Sequence, residues 1–279
     1  MHCTAASPDR PATGERLADV RIVITGAAGR IGRQMTLELA DSHELVLLDR
    51  KQPKARKWIR VDLTKRGPRR RYGPDSPVFS WEHHLEGADA VLHLAGNPSP
   101  RASLPDALRA NVEGTWNVLE AASRQGVPRV VYASSNWVVR REIEAAHARN
   151  ELPIRPPAGA SPDTAYGLSK AAAELAGRMA VEDGRIDCFV TARIGRLEPR
   201  PVATERLSVP HRITIGRTDL RMLLRLCLER PLRGYHLVYG VSPVPSAAFD
   251  LDSTRRLLNW SPVDIPEGPT VEDRVTKTA

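Results

Sequence analysis

Hydrophobic positions along this chain gather into short solid blocks, and between the blocks they recur at helical spacing. The blocks are Val20–Thr25, Glu44–Asp49, Trp58–Leu63, Ala88–Gly96, Arg129–Ala133 and Ile186–Ile194, all rich in Val, Ile, Leu or Ala. Solid runs of this length read as strands buried on both faces, as in a parallel sheet. Apolar residues recur every three or four places after Gly32, across Pro105–Gln125, and in an alanine-rich stretch over 164–182 that Ser161 or Asp163 can cap. Alternation of this kind predicts an α/β fold, a doubly wound parallel sheet of the Rossmann type. His93 alternates within the fourth block and reads as a core histidine. Past Gly195 the pattern weakens. Asp219–Arg230 reads as a helix capped by Thr218 or Asp219, Tyr235–Val241 as a short strand and Ser253–Trp260 as a last short helix. The polar, proline-bearing stretch 138–162 reads as a substrate lid or a surface insertion.

Composition narrows the class. No apolar run in the 279 residues approaches the roughly 18 of a membrane span, so no membrane partner is expected. The first 18 residues lack a signal-peptide core and read as a flexible tail, as do 266–279. Cys3, Cys188 and Cys227 have no metal-like spacing, which predicts no metal and a reducing cytoplasm. The net charge of +8 raises the possibility of a nucleic-acid partner. Much of the excess lies between Arg50 and Arg71, where aromatics are limited to Trp58 and Tyr72. A solvated basic region is the expectation, with no nucleic acid bound.

Candidate chemistry starts at the first block. Three glycines, Gly26, Gly29 and Gly32, follow Thr25 and precede an amphipathic segment. The order strand, glycine turn, helix start suits a pyrophosphate, which the first N–H groups of the helix, at Arg30 and Ile31, would face. Asp49 ends the second strand about twenty residues on, where a ribose 2′-hydroxyl needs an acceptor. Its charge repels a 2′-phosphate, and Ala28 stands where many NADP-using reductases carry a basic residue. Arg50, Lys51 and Lys54 pull the other way. NAD is expected over NADP. The organisation is then a dinucleotide-binding domain over 19–194 and a small C-terminal substrate-binding lobe over 195–265, interleaved with the last sheet strand.

Tyr166 and Lys170 lie four apart on one helix face. An ammonium beside a phenol favours the phenolate, a general base near neutral pH. Ser135, at the end of the fifth strand, can hold a substrate oxygen, with Ser134 in reserve. With the glycine turn, these residues make hydride transfer the expected chemistry.

The Gly-x-x-Gly-x-x-Gly spacing resembles the short-chain dehydrogenase/reductase superfamily. Asn111-Val-Glu-Gly-Thr resembles its extended branch, the NAD-dependent epimerase/dehydratase family. Ala133-Ser-Ser-Asn, Tyr166-Gly-Leu-Ser-Lys, Arg193-Ile-Gly and Tyr239-Gly-Val-Ser together are similar to the uronate dehydrogenases of that branch. The resemblance runs from Val20 to Pro262. It implies Asp62 and Leu63 beside the adenine, Leu94, Ala95, Gly96 and Ile194 along the cofactor, and Asn111, Tyr166 and Lys170 in the active-site network. It also implies oxidation of the C1 hemiacetal of a uronate to a lactone. Ser99, Ser135 and Asn136 are the implied substrate contacts, with Arg206 the matched partner of the carboxylate. Trp137 replaces a family histidine and Arg196 a family serine. An acidic sugar or sugar derivative is therefore expected, with simple glucuronate a poor substrate. The helices at 105–125 and 164–182 are the expected contact of a homo-oligomer. A nucleotide-sugar epimerase, and a non-catalytic NAD-binding regulator, remain the alternatives.

Overall fold

The computed structural model describes residues 20–51, 58–65, 79–155, 159–198, 213–243 and 247–264. Arg206, the basic cluster at 69–71 and both tails lie outside them. The strands are β1 (Arg21–Thr25), β2 (Glu44–Asp49), β3 (Ile59–Arg60), β4 (Ala90–His93), β5 (Arg129–Ser135), β6 (Cys188–Ile194), β7 (Arg196–Leu197), β8 (Thr214–Ile215) and β9 (Gly234–Gly240). The helices are α1 (Arg30–Leu39), α2 (Leu104–Ala107), α3 (Gly114–Arg124), α4 (Arg140–Ala148), α5 (Ala165–Glu182), α6 (Arg217–Glu229) and α7 (Asp252–Leu258). Seven strands make one parallel sheet in the order β3-β2-β1-β4-β5-β6-β9. β7 and β8 pair separately.

Both faces of the sheet are covered, which is why the strand blocks are solid rather than alternating. Ile22, Ile24, Val131 and Val190 pack with Met35 of α1 and Leu220, Leu223 and Leu224 of α6. Their neighbours Val23, Val130 and Phe189 point the other way, onto Val118 and Leu119 of α3 and Ala173 of α5. Cys188 of β6 and Cys227 of α6 are buried free thiols on the α6 side, and burial pushes both above the ordinary range.

Four expectations change. The third strand keeps only two residues of the block 58–63. The helix at 105–125 is broken by a π-helical turn over Leu108–Glu113. Within stretch 138–162 the described residues, 138–155 and 159–162, do not form one surface loop. Val138, Val139, Ile143, Ala146 and Ile154 are buried in the core, α4 occupies its middle, and a bridge between Ile154 and Phe249 ties down its end. Finally, α6 packs on α1 against the Rossmann sheet, which β9 completes as its last strand.

Helix caps differ as well. Thr164 caps α5, accepting from the Gly167 N–H at 3.1 Å, while Ser161 accepts from Glu142 of α4. At α6 the cap position is Gly216. Asp219 lies buried inside the helix, accepting from the Ser242 hydroxyl and the Val263 and Asp264 N–H groups. Among the described residues no helix is long and apolar enough to cross a membrane.

Candidate active site

The C-terminal ends of the central strands align in register, Ser135 of β5 opposite Ile194 of β6, and Ile194 opposite Gly240 of β9. This is the edge where open α/β sheets bind ligands. Gly26 leaves β1 at φ +72°, and a Cβ there would come within 2.6 Å of the Ala95 nitrogen. A Cβ on Gly32 would come within 2.4 Å of the Gly26 carbonyl oxygen, so helix and turn touch backbone to backbone. Gly29 opens α1 with no side-chain cap and no acid in the first turn, a start that suits an anion.

Asp49 faces the same turn. One carboxylate oxygen accepts from the Ala28 N–H at 2.9 Å and the other from the Lys51 N–H at 2.7 Å. Asp62 accepts from the Thr64 N–H and hydroxyl. Burial works to raise this carboxyl, but the Thr64 bonds outweigh it and leave it below the ordinary value. The Leu63 carbonyl accepts from Asn117 at 2.8 Å. Leu94 donates its N–H to Thr25, and Arg30 of α1 reaches the Leu197 carbonyl of β7. His93 is buried in the core, its ring nitrogens against Thr25 at 2.7 Å and Thr115 at 3.0 Å.

Asn111 sits in the π-helical turn, a wider coil that recurs at functional sites. Its side chain accepts from the Asn97 N–H at 2.7 Å and donates to the Ser169 hydroxyl at 2.8 Å. Ser169 in turn donates to the Tyr166 carbonyl. The turn thus ties the loop after β4 to the helix carrying Tyr166 and Lys170.

Tyr166 is 7% exposed, and its hydroxyl lies near the Ser135 side chain. The lysine is not what dominates this phenol. Burial raises it above its usual 10, and the nearby Ser135 hydroxyl draws it part of the way back. Lys170 donates to the Ala133 carbonyl at 2.7 Å and lies 4.6 Å over the Tyr132 ring. Burial lowers the ammonium to about 8, with the Glu174 charge opposing. Ser134 turns the opposite way to Ser135 and donates to Glu174 at 2.5 Å.

On the substrate side, the Asn136 carbonyl oxygen faces the Ser135 hydroxyl, and its buried amide nitrogen has no protein partner, leaving a donor for a ligand. Trp137 meets the Tyr166 ring edge-on, centroids 6.5 Å apart. Ser99 is exposed and accepts from the Arg101 N–H. Arg196 is exposed and paired with Glu198 at 2.6 Å.

Two clusters had gone unread in the sequence. Arg140 lies 5.3 Å over the Trp137 ring while pairing with Glu144. Beneath Lys170, Glu174 binds Arg193 of β6, which also donates to the Tyr239 hydroxyl. The signal for this cluster was present: an arginine inside the solid block CFVTARI demands a buried partner.

The sequence pattern of the NAD dependent epimerase/dehydratase family matches residues 22–198. An NAD-dependent glucose-6-phosphate dehydrogenase of Haloferax volcanii is 30% identical over 88% of this chain and 94% of its own length. A uronate dehydrogenase of Pseudomonas syringae is 31% identical over 88% of the chain and 83% of its own. The crystal structure of uronate dehydrogenase from Agrobacterium tumefaciens superposes with a TM-score of 0.72 at 27% identity, covering 93% of this chain and 90% of that one.

Proposed function

Because the chain belongs to the NAD dependent epimerase/dehydratase family, we propose that it is an NAD-dependent oxidoreductase removing hydride from a ring hydroxyl of an acidic sugar or sugar derivative. The observation that carries this is the buried Tyr166 hydroxyl, beside Ser135 and one helical turn from Lys170. The residues fit a dinucleotide: an uncapped helix start at Gly29, a carboxylate at Asp49 beside the turn, and Asp62–Leu63 and Leu94–Gly96 along the edge. NAD bound there supplies the hydride acceptor.

In this reading Ser135 orients the substrate hydroxyl and Tyr166, as phenolate, takes its proton while the carbon gives up hydride. Lys170 as ammonium lowers the cost of that phenolate. Asn136 and Trp137 line the sugar, the indole offering a flat face for a ring. The anionic group is assigned to Arg206, because an unpaired anion in a dry pocket is costly. The similarity to dehydrogenases named for a uronate and for a sugar phosphate supports an anionic sugar.

A homo-oligomer belongs to the same reading, since Leu168, Leu175 and Met179 form an exposed apolar row along α5. So does a cytoplasmic location, supported by buried free cysteines.

The test follows NADH formation with glucuronate, galacturonate and glucose 6-phosphate against neutral glucose and arabinose, in the unaltered protein, Arg206→Leu and Arg196→Leu. Stoichiometric NADH with acidic sugars, lost in Arg206→Leu, is expected. Equal turnover of neutral sugars would sink the anionic-substrate reading. Sugar conversion without net NADH would make the protein an epimerase.

A further inference from the structure

Lys170 is buried, and titratable groups surround it. Glu174 and Tyr166 share its helix, and the Tyr132 ring faces it from β5. His93 lies on β4, where burial and then the Lys170 charge hold its imidazole down to about 3. Arg193 comes from β6. Glu174 pairs with Arg193 and stands one helical turn from Lys170, on which its charge also acts. Glu174 accepts from Arg193 at 2.7 and 3.0 Å and from Ser134 at 2.5 Å, so its position is fixed from two strands.

We propose that Glu174 sets where the shared proton of the Tyr166–Lys170 pair resides. Clamped by Arg193 and one turn beyond Lys170, its carboxylate holds the lysine as ammonium and leaves the tyrosine to give up its proton. This rests on the reading of Tyr166 as the base, and deepens it. Once the pair has lost one proton it is either phenol with amine or phenolate with ammonium, of identical net charge. Only the second can act as base. On the same helix Glu174 lies one turn from Lys170 and two turns from Tyr166, so its charge acts more strongly on the lysine and separates the two forms. The bond from Ser134 does a second job. It holds that residue's side chain away from the site, and strand alternation then presents Ser135 to Tyr166. Glu174 is thus a positioning residue, acting through Lys170 and Ser134.

The chain has six lysines, so carbon-13 labelling of lysine gives a spectrum simple enough to titrate Lys170 directly, without substrate. Lys170→Met identifies the signal. In the unaltered protein its midpoint is expected at about 8. Glu174→Gln keeps shape and hydrogen bonds but loses charge, and is expected to lower the midpoint by about one unit or more. Glu174→Asp keeps the charge and is expected to stay within about 0.3 units. The kcat/KM plateau on the best sugar should fall about tenfold per unit of displacement in the Gln variant. If Glu174→Gln does not fold, Glu174→Gln with Arg193→Gln is titrated against Arg193→Gln alone, so that the difference between the two isolates the carboxylate. An unmoved midpoint, an Asp variant displaced as far as Gln, or a moved midpoint with an unchanged plateau each overturns the proposal. Absence of turnover on every sugar sinks the oxidoreductase reading, and the titration still decides what Glu174 does to Lys170.

Discussion

The two sides of the sheet edge are built differently. On the Tyr166 side every group is buried and braced: Lys170 on Ala133, Ser134 on Glu174, Glu174 on Arg193, Asn111 on Ser169. On the substrate side Ser99 is exposed and occupied with its own loop, and Arg196 points outward into an ion pair with Glu198. A reacting group must be held in one geometry, so it sits on regular elements with hydrogen-bonded support. Exposed groups with only local partners, like Ser99 and Arg196, are freer to vary than the braced set.

The sharpest break of this contrast is Tyr166→Phe, which removes one hydroxyl from the braced side. Turnover is expected to fall by at least about a hundredfold with NAD affinity nearly kept. Titration calorimetry alongside steady-state rates separates the two, and retained activity would remove Tyr166 from the chemistry.

The pH profile comes next. Burial favours the neutral form of each partner, pushing Lys170 down to about 8 and Tyr166 up. The pair therefore loses its first proton near pH 8 and its second above 10. The singly deprotonated pair contains the reactive form, so kcat/KM for oxidation should rise about tenfold per pH unit below 8 and then level off. A profile falling through pH 8 would contradict this assignment.

Asp49→Ala should narrow the preference for NAD over NADP by about tenfold, by removing the like charge facing a 2′-phosphate. If the unaltered protein prefers NADP, Arg50 and its basic neighbours decide the matter. The smallest effect belongs to Arg196→Leu. An exposed pair contributes little, so kcat/KM on any acidic sugar should change by less than about threefold. A larger loss would move Arg196 into the pocket and blur the contrast.

The same division explains what the sequence disclosed. Strand blocks, the glycine turn and the Tyr166–Lys170 spacing are local patterns, and each reports a backbone requirement or one helix face. Stretch 138–162 misled because Val138, Val139, Ile143 and Ala146, at helical spacing, are diluted among charges that suit a surface loop. The π-helical turn at Asn111 has no propensity signature. It exists because one side chain must reach both Asn97 and Ser169. Expecting Lys170 to dominate Tyr166 used proximity alone, and the desolvation that outweighs it depends on what packs above the ring. Glu174 with Arg193 joins residues nineteen apart through a helix and a strand, a partnership only tertiary structure displays.

The two buried cysteines provide a clock. Cys188 opens β6 at the start of that strand and Cys227 lies in the helix that covers it, and burial keeps both thiols protonated and shielded. A thiol reagent can reach them only when α6 lifts from the sheet, so their labelling rate measures that opening rather than any chemistry at the sulfur. Saturating NAD, by favouring the closed form, should slow this labelling in proportion to its binding. The folded protein thus records its own ligand occupancy in the reactivity of two residues far removed from the proposed reaction.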